Sequence, residues 1–306
     1  MSCTPIPPDM PSTRHPVAAR FGTCGASAAE GHSAYAGMDK QQTVAAYLKR
    51  LRAIKMQSIA CILADFVAVI WFVEAWNLVL YLLGLVAVFV IAVAGRVRMG
   101  MLFVDLNKVV SEDCDPARYR AVLDALAARD RFGRSVNTIA IERAYCDYLE
   151  LDSALALRRL GSVSFKRKDD LRRFRAKQVE LLSRVDLGDT DGARNALVQL
   201  SVLGQAFKAG TRNRVSADAQ VEGYAVLLRP PAERSASDAA YMREHMVEAG
   251  CHQQRANWQL CLAEHELLHG SRDEAARLAI DPALDPLTPR MERLRRDVLV
   301  ELESGC

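Results

Sequence analysis

The chain has 306 residues, 25% of them charged, with 40 Lys and Arg against 37 Asp and Glu for a formal net charge of +3. That length holds one large domain or two smaller ones, and a charge so close to balance argues against a protein built around nucleic acid. No Walker-type loop, Gly-rich dinucleotide fingerprint, G-x-S-x-G elbow or C-x-x-C pair is present, which argues against the common nucleotide-binding, hydrolase and redox enzymes.

Residues 1–37 are rich in Pro, Ser, Gly and Ala without hydrophobic periodicity, so they are predicted to be disordered and to take no part in the fold. Translation starting at Met38 is a second reading of the same tail, because "DKQQTVAAYLKRLRAIKM" makes a basic amphipathic lead into a long apolar stretch.

A mean hydropathy near zero conceals an apolar block at 58–95 whose only formal charges are Asp65 and Glu74. As one straight helix it would be about 57 Å long, roughly twice the hydrocarbon thickness of a bilayer. The polar break Glu74-Ala75-Trp76-Asn77 splits it into segments near 57–73 and 77–95. Trp71, Trp76 and Tyr81 lie close to the break, where aromatic residues favour the interface. Residues 38–98 therefore read as a lead and a transmembrane hairpin. Lys49, Arg50, Arg52 and Lys55 precede it and Arg96 and Arg98 follow it, so the positive-inside rule puts both termini in the cytoplasm. Asp65 falls near the middle of the first span, where a lone carboxylate costs at least ~2.5 kcal/mol. It reads either as a partner contact or proton-linked site, or as a protonated group hydrogen-bonded within the hairpin. The eight cysteines, at 3, 24, 61, 114, 146, 251, 261 and 306, read as free thiols in a reducing compartment.

From residue 99 to 306 the pattern is helical, with helices expected at 98–111, 115–130, 136–150, 152–161, 170–185, 191–207, 216–228, 237–248, 253–268, 273–280 and 289–303. Within it Asp-x-Ala recurs at 115–117, 152–154, 191–193, 238–240 and 273–275, with alanines 37, 39, 47 and 35 residues apart, the period of helix-pair repeats. Asp suits the N-cap, Pro116 the first helical position, and a small Ala lets a neighbouring helix approach. "GDTDGARNAL" at 188–197 and "GSRDEAARLA" at 270–279 share Gly, Asp and Ala at equal offsets, the Gly closing the preceding helix.

These units resemble degenerate tetratricopeptide repeats over roughly residues 100–303. Leu262, Ala263, Gly270 and Ala275 fall at that family's spacing, with Trp258 and Pro286 near its aromatic and proline positions. Glu266 stands in a position that is normally aromatic, and Leu149 where a turn glycine belongs. The resemblance implies an all-α chain whose cytoplasmic part is an α-solenoid of about five antiparallel helix pairs ending in a C-terminal capping helix. It also implies a partner-binding groove lined by first helices, at Arg175, Gln178, Asn257 and Glu264, with Arg143 and Asp147 beside them. On this reading the protein is a bacterial-type scaffold at the inner membrane that binds a protein or peptide and needs no cofactor.

The competing reading rests on His-Glu-Leu-Leu-His at 265–269. Two histidines four apart on a helix share a face and suit zinc, Glu266 would activate a bound water, and Glu292 would be the third ligand of a membrane-bound metallopeptidase. Gly270 follows the second histidine directly, which also makes the pair the end of a repeat helix with two surface histidines. His245, His252, Cys251 and Cys261 near this pair admit a non-catalytic metal site. Finally, 158–177 holds nine basic and two acidic residues, a solvated face or a contact for anionic lipid, with nucleic acid the weakest reading.

Overall fold

The computed structural model describes residues 32–74, 78–130, 133, 135–166 and 169–304. Expectations placed on residues 1–31, on Trp76 and its polar break, and on Cys306 lie outside them. Within the described residues there are twelve α-helices, two short 3-10 turns and no strand.

The first two helices, α1 (Lys40–Glu74) and α2 (Leu78–Ser111), are 35 and 34 residues long, and each is long and apolar enough to cross a membrane. Only 6% and 11% of their most apolar windows are buried, which separates them from the core helices of a water-soluble domain. Phe66, Ile70, Leu82, Val86, Phe89 and Val90 all face outward. The two helices meet along Ser58, Ile62, Asp65 and Val69, a stripe at three- and four-residue spacing that is sheltered while its neighbours are exposed. Opposite it stand Gly84 and Gly95, where an added Cβ would lie 2.3 Å from Val69 Cγ2 and 2.7 Å from Ser58 Oγ respectively. The absence of side chains at these two glycines sets how closely the helices approach.

α2 runs unbroken through residue 98, so the segment expected as a separate helix at 98–111 is its final part, and the boundary expected at 98/99 falls inside a helix. No proline interrupts it, and Leu102, Leu106, Val109 and Val110 bury its last three turns. The tail differs from expectation too. Ser33 to Met38 dock on the α2–α3 corner, with Tyr35 fully buried against Tyr47. Arg118 donates to the carbonyls of Tyr35 (2.8 Å) and Met38 (3.1 Å), and Ser33 N–H donates to Asp113 Oδ1 at 3.1 Å. A composition averaged over 37 residues hides one tyrosine with a pocket to fill.

The remaining helices are α3 (Pro116–Ala127), α4 (Val136–Leu149), α5 (Ser153–Gly161), α6 (Asp170–Asp186), α7 (Thr190–Gln205), α8 (Arg212–Leu227), α9 (Ala236–Val247), α10 (His252–His269), α11 (Arg272–Ala279) and α12 (Pro289–Ser304). Each overlaps a helix expected from the sequence. Asp115 and Asp152 are N-caps as their spacing predicts, accepting from Arg118 N–H at 2.8 Å and Leu155 N–H at 3.0 Å. At the other three Asp-x-Ala positions the cap lies earlier. Asp189 caps α7, Ser271 caps α11, and Ser235 caps α9 in a reciprocal capping box with Asp238. Asp191, Asp238 and Asp273 instead sit inside the first turn, where a carboxylate complements the helix dipole. Ala193 and Ala275 are fully buried at helix contacts. Ala154 and Ala240 are exposed, and the neighbouring Ala156 and Ala239 take the close positions instead.

α4 packs on α5, α6 on α7 and α10 on α11, whereas α9 rests chiefly on α10. The core is a chain of clusters. Tyr47, Leu106, Val122 and Ala156 join α1 to α5, Phe174, Leu181, Leu200 and Ala217 join α6 to α8, and Met242, Trp258, Leu278 and Val298 join α9 to α12. The large side chains among them each contribute roughly 1.5–3 kcal/mol on burial, whereas Ala156 and Ala217 serve mainly to let helices approach. The chain also meets itself. α10 touches α2, and α12 touches α4, so the two ends of the helical series enclose a central space.

Candidate functional site: a cavity enclosed by the helical series

The enclosed space is a cavity of about 600 Å³ lined by the end of α2 and by α4, α6, α8, α10 and α12. α3 and α7 contribute only Tyr119 and Thr190 to it. Three contacts hold the far side closed. Glu112 accepts from the His252 backbone N–H at 3.2 Å. The Tyr145 hydroxyl donates to Gln253 Oε1 at 3.2 Å. Arg290 pairs with Asp186 and lies over the Tyr148 ring, 4.3 Å from its centroid.

Four of the six groove residues expected from the sequence, Arg175, Gln178, Asn257 and Glu264, line this cavity. Arg175 is gripped by both oxygens of Glu142, at 3.2 and 3.3 Å, and stacks over Tyr145 at 4.3 Å. Burial acts to lower the pKa of this guanidinium, and Glu142, Tyr145 and Tyr224 around it together more than offset that, so Arg175 stays charged. Glu264 accepts from Arg234 at 2.7 Å. Arg143 and Asp147 do not line the cavity. Arg143 pairs with Asp124, and the wholly buried Asp147 is held by Arg120 and Arg159 between helices, so both hold helices together instead.

The wall is mostly phenols and carboxamides. Burial pushes the Tyr148 hydroxyl up to about 12 and raises Tyr145 and Tyr224 as well, so these phenols remain protonated donors. Tyr145 and Tyr148 stack with ring centroids 6.3 Å apart. Tyr224 hydrogen-bonds Gln178. Gln220 donates from Nε2 to Ser216 Oγ at 3.0 Å, while its buried Oε1 and the buried Gln254 Nε2 have no hydrogen-bond partner among the described residues. Sequence reasoning missed Gln220, Tyr224, Arg234 and Arg290. Tyr145, Gln178, Gln220 and Asn257 follow one another at 33, 42 and 37 residues, and continuing that register through α8 would have found Gln220.

The zinc-type residues are not brought together. His265 and His269 have ring centroids 4.9 Å apart, but His269 Nε2 donates to the Pro231 carbonyl at 3.1 Å. Glu266 is held by Arg243 and by the Ser271 N–H. Glu292 pairs with Arg295 on α12 at 3.4 Å. Among the described residues no group of three His, Cys, Asp or Glu side chains is arranged to hold a metal. His265 is not on the surface as expected but 7% exposed, and burial, then His269, lowers its pKa. His245 stacks on Tyr241 at 3.8 Å, and His252 Nε2 lies 3.0 Å from the Leu284 carbonyl. The five described cysteines are free thiols, and burial pushes Cys261, which lines the cavity, up to about 11.

The stretch 158–177 is not one basic face. Arg159, Arg172, Arg175 and Lys177 each pair with a carboxylate, and Arg167 and Lys168 lie outside the described residues. In the hairpin, Asp65 is half-buried on the α1 stripe toward α2, and its Oδ2 has no hydrogen-bond partner among the described residues.

Comparison of the chain with protein-family models, curated proteins and solved structures finds no match.

Proposed function

We propose that the chain is a membrane-anchored helical-repeat scaffold that holds a protein or peptide partner in the central cavity at the cytoplasmic face of the inner membrane. On this reading α1 and α2 cross the bilayer as a hairpin with both ends cytoplasmic. α3 to α11, with the end of α2, are about five degenerate tetratricopeptide-like pairs in antiparallel arrangement, capped by α12. The observation that carries the reading is that α2, α4, α6, α8, α10 and α12 all face one cavity while α2 itself continues into the apolar hairpin. The Lys and Arg residues at both bases of the hairpin support the orientation, and the buried Ala193 and Ala275 support the repeat register.

The test is site-specific photo-crosslinking in cells, with the reactive side chain at Asn257 on the cavity wall or at Val198, which is 62% exposed on α7. A protein adduct formed from position 257 and not from 198 supports the scaffold. Adducts from 198 alone would move the interaction off the cavity. Reporter fusions after Arg98 and at Trp76 should read cytoplasmic and external respectively, and an external signal after Arg98 would reverse the topology.

A further inference from the structure

From the cations that end the two outward apolar stripes of the hairpin, we infer that Arg52, Lys55, Arg96 and Arg98 form a docking site for anionic phospholipids of the leaflet at the hairpin's base. This rests on the membrane-spanning reading above and adds to it a preference for lipid charge. On α1 the exposed Met56, Ile59, Leu63 and Phe66 form one stripe, and Arg52 and Lys55 continue it at three- and four-residue spacing. On α2 the exposed Val86, Phe89 and Val93 form another, which Arg96 continues. A phospholipid lying along either stripe meets apolar side chains with its acyl chains and a cation with its headgroup. A soluble anion would leave the stripes unused.

The cations also share a depth. Gly95 faces Ser58, where an added Cβ would lie 2.7 Å from Oγ, and Arg98 donates to Gln57 Oε1 at 3.1 Å. Measured along the helix axes from the Ser58–Gly95 contact, Arg96 lies about 1.5 Å away, Lys55 and Arg98 about 4.5 Å, and Arg52 about 9 Å. The headgroup layer of one leaflet is about 5–8 Å deep, and long basic side chains reach toward it. All four cations are exposed, and among the described residues none of them pairs with a carboxylate. α1 has no Asp or Glu before Asp65, and α2 has only Asp105. In the helices that follow, by contrast, Arg120, Arg143, Arg159 and Arg175 each pair with an Asp or Glu. The charges at the hairpin's base are therefore left for a partner outside the chain. Phosphate oxygens of anionic lipids supply charge-assisted hydrogen bonds to Lys and Arg at the depth where these residues sit.

The test uses the full chain reconstituted in phosphatidylcholine vesicles with a trace of phosphatidylglycerol or phosphatidylcholine spin-labelled on its acyl chain. Electron paramagnetic resonance separates lipid held against the protein from the mobile bulk. At about 0.01 M salt, phosphatidylglycerol should be enriched at the protein by about threefold or more over phosphatidylcholine. The enrichment should vanish at about 1 M salt, where the screening length has dropped from about 30 Å to about 3 Å. Arg52→Gln, Lys55→Gln, Arg96→Gln and Arg98→Gln together should remove most of it, whereas Arg52→Lys, Arg96→Lys and Arg98→Lys together should retain it. Arg158→Gln with Arg172→Gln, at two exposed positions of the basic stretch 158–177, should leave it unchanged. The salt titration of the parent chain keeps the test decisive where the Gln variant fails to insert. Equal retention of the two labelled lipids, enrichment that survives high salt or the Gln variant, or enrichment lost on changing Arg158 and Arg172 would each overturn the inference and leave the hairpin in the bilayer. Absence of any held lipid would remove the membrane-spanning reading itself, and this inference with it.

Discussion

Arg290 on α12 lies 4.3 Å over the ring of Tyr148 on α4 while its guanidinium pairs with Asp186 on α6. One side chain thus ties the last helix to two much earlier ones across the cavity. Replacing it with Ala removes an ion pair whose members are 25% and 18% exposed, leaves Asp186 with only the Ser153 hydroxyl as a partner, and strips the cation from Tyr148. Arg290→Ala should lower stability by about 2–3 kcal/mol, read from the chemical-denaturation midpoint of the full chain. A change under about 0.5 kcal/mol would mean that the closure contributes nothing to stability.

The hairpin depends on Gly84. A methyl there would meet Val69 Cγ2 at 2.3 Å, and valine is too stiff at χ1 to turn aside cheaply. Gly84→Ala should cost about 1–3 kcal/mol through overpacking, and adding Val69→Ala should recover most of the loss. Thermal melting of the single and double variants in nanodiscs checks this, and a double variant no better than the single would place the clash elsewhere.

Leu151 ends the α4 segment at φ +69°, a left-handed conformation that costs an L-residue about 1–2 kcal/mol. Its side chain is 38% exposed, so the part that is buried offsets the strain. Leu151→Gly should therefore shift stability by less than about 1 kcal/mol, the relieved left-handed strain being set against lost burial and a freer unfolded chain, measured by denaturant midpoint at unchanged slope.

Burial, then the nearby His269, holds His265 below its ordinary value of 6.5. Between that lowered value and 6.5 the unfolded chain takes up a proton that the folded chain refuses. Stability present above pH 6.5 is therefore lost as the pH falls toward the folded value. His265→Gln should remove this share of the pH slope while lowering stability at neutral pH, because a buried side chain is being replaced. Parallel stability-versus-pH curves for parent and variant would show that His265 does not titrate in this window.

Helix positions were largely readable because amphipathic period and capping chemistry are local. Asp115 and Asp152 cap where their spacing says, and the repeated Ala193 and Ala275 are buried. Arg175, Gln178, Asn257 and Glu264, expected to share a groove, line the same cavity. What joins that wall was not readable, because Glu112 meets His252, Tyr145 meets Gln253 and Asp186 meets Arg290 at separations of 140, 108 and 104 residues, and no local pattern encodes such pairings. His265 was misplaced for a related reason. The helix face that carries it is covered by groups from elsewhere in the chain, among them Arg243 and the turn at Pro231. Arg143 and Asp147 were misassigned because charged residues on an inner helix look alike in sequence whether they face a cavity or a neighbouring helix.

α2 has no joint between Gly84, inside the hairpin, and Lys108, on the cavity wall. From Gly95 to Lys108 the helix spans about 20 Å, so a tilt of about 10° about Gly95 would carry Lys108 sideways by roughly 3 Å, about the length of a hydrogen bond. Transmembrane helices take up mismatch with bilayer thickness by tilting. On the proposed membrane reading, α2 would act as a lever whose long arm meets the lipid and whose short arm is one wall of the cavity, which would make the composition of the host membrane a variable of the cavity's width.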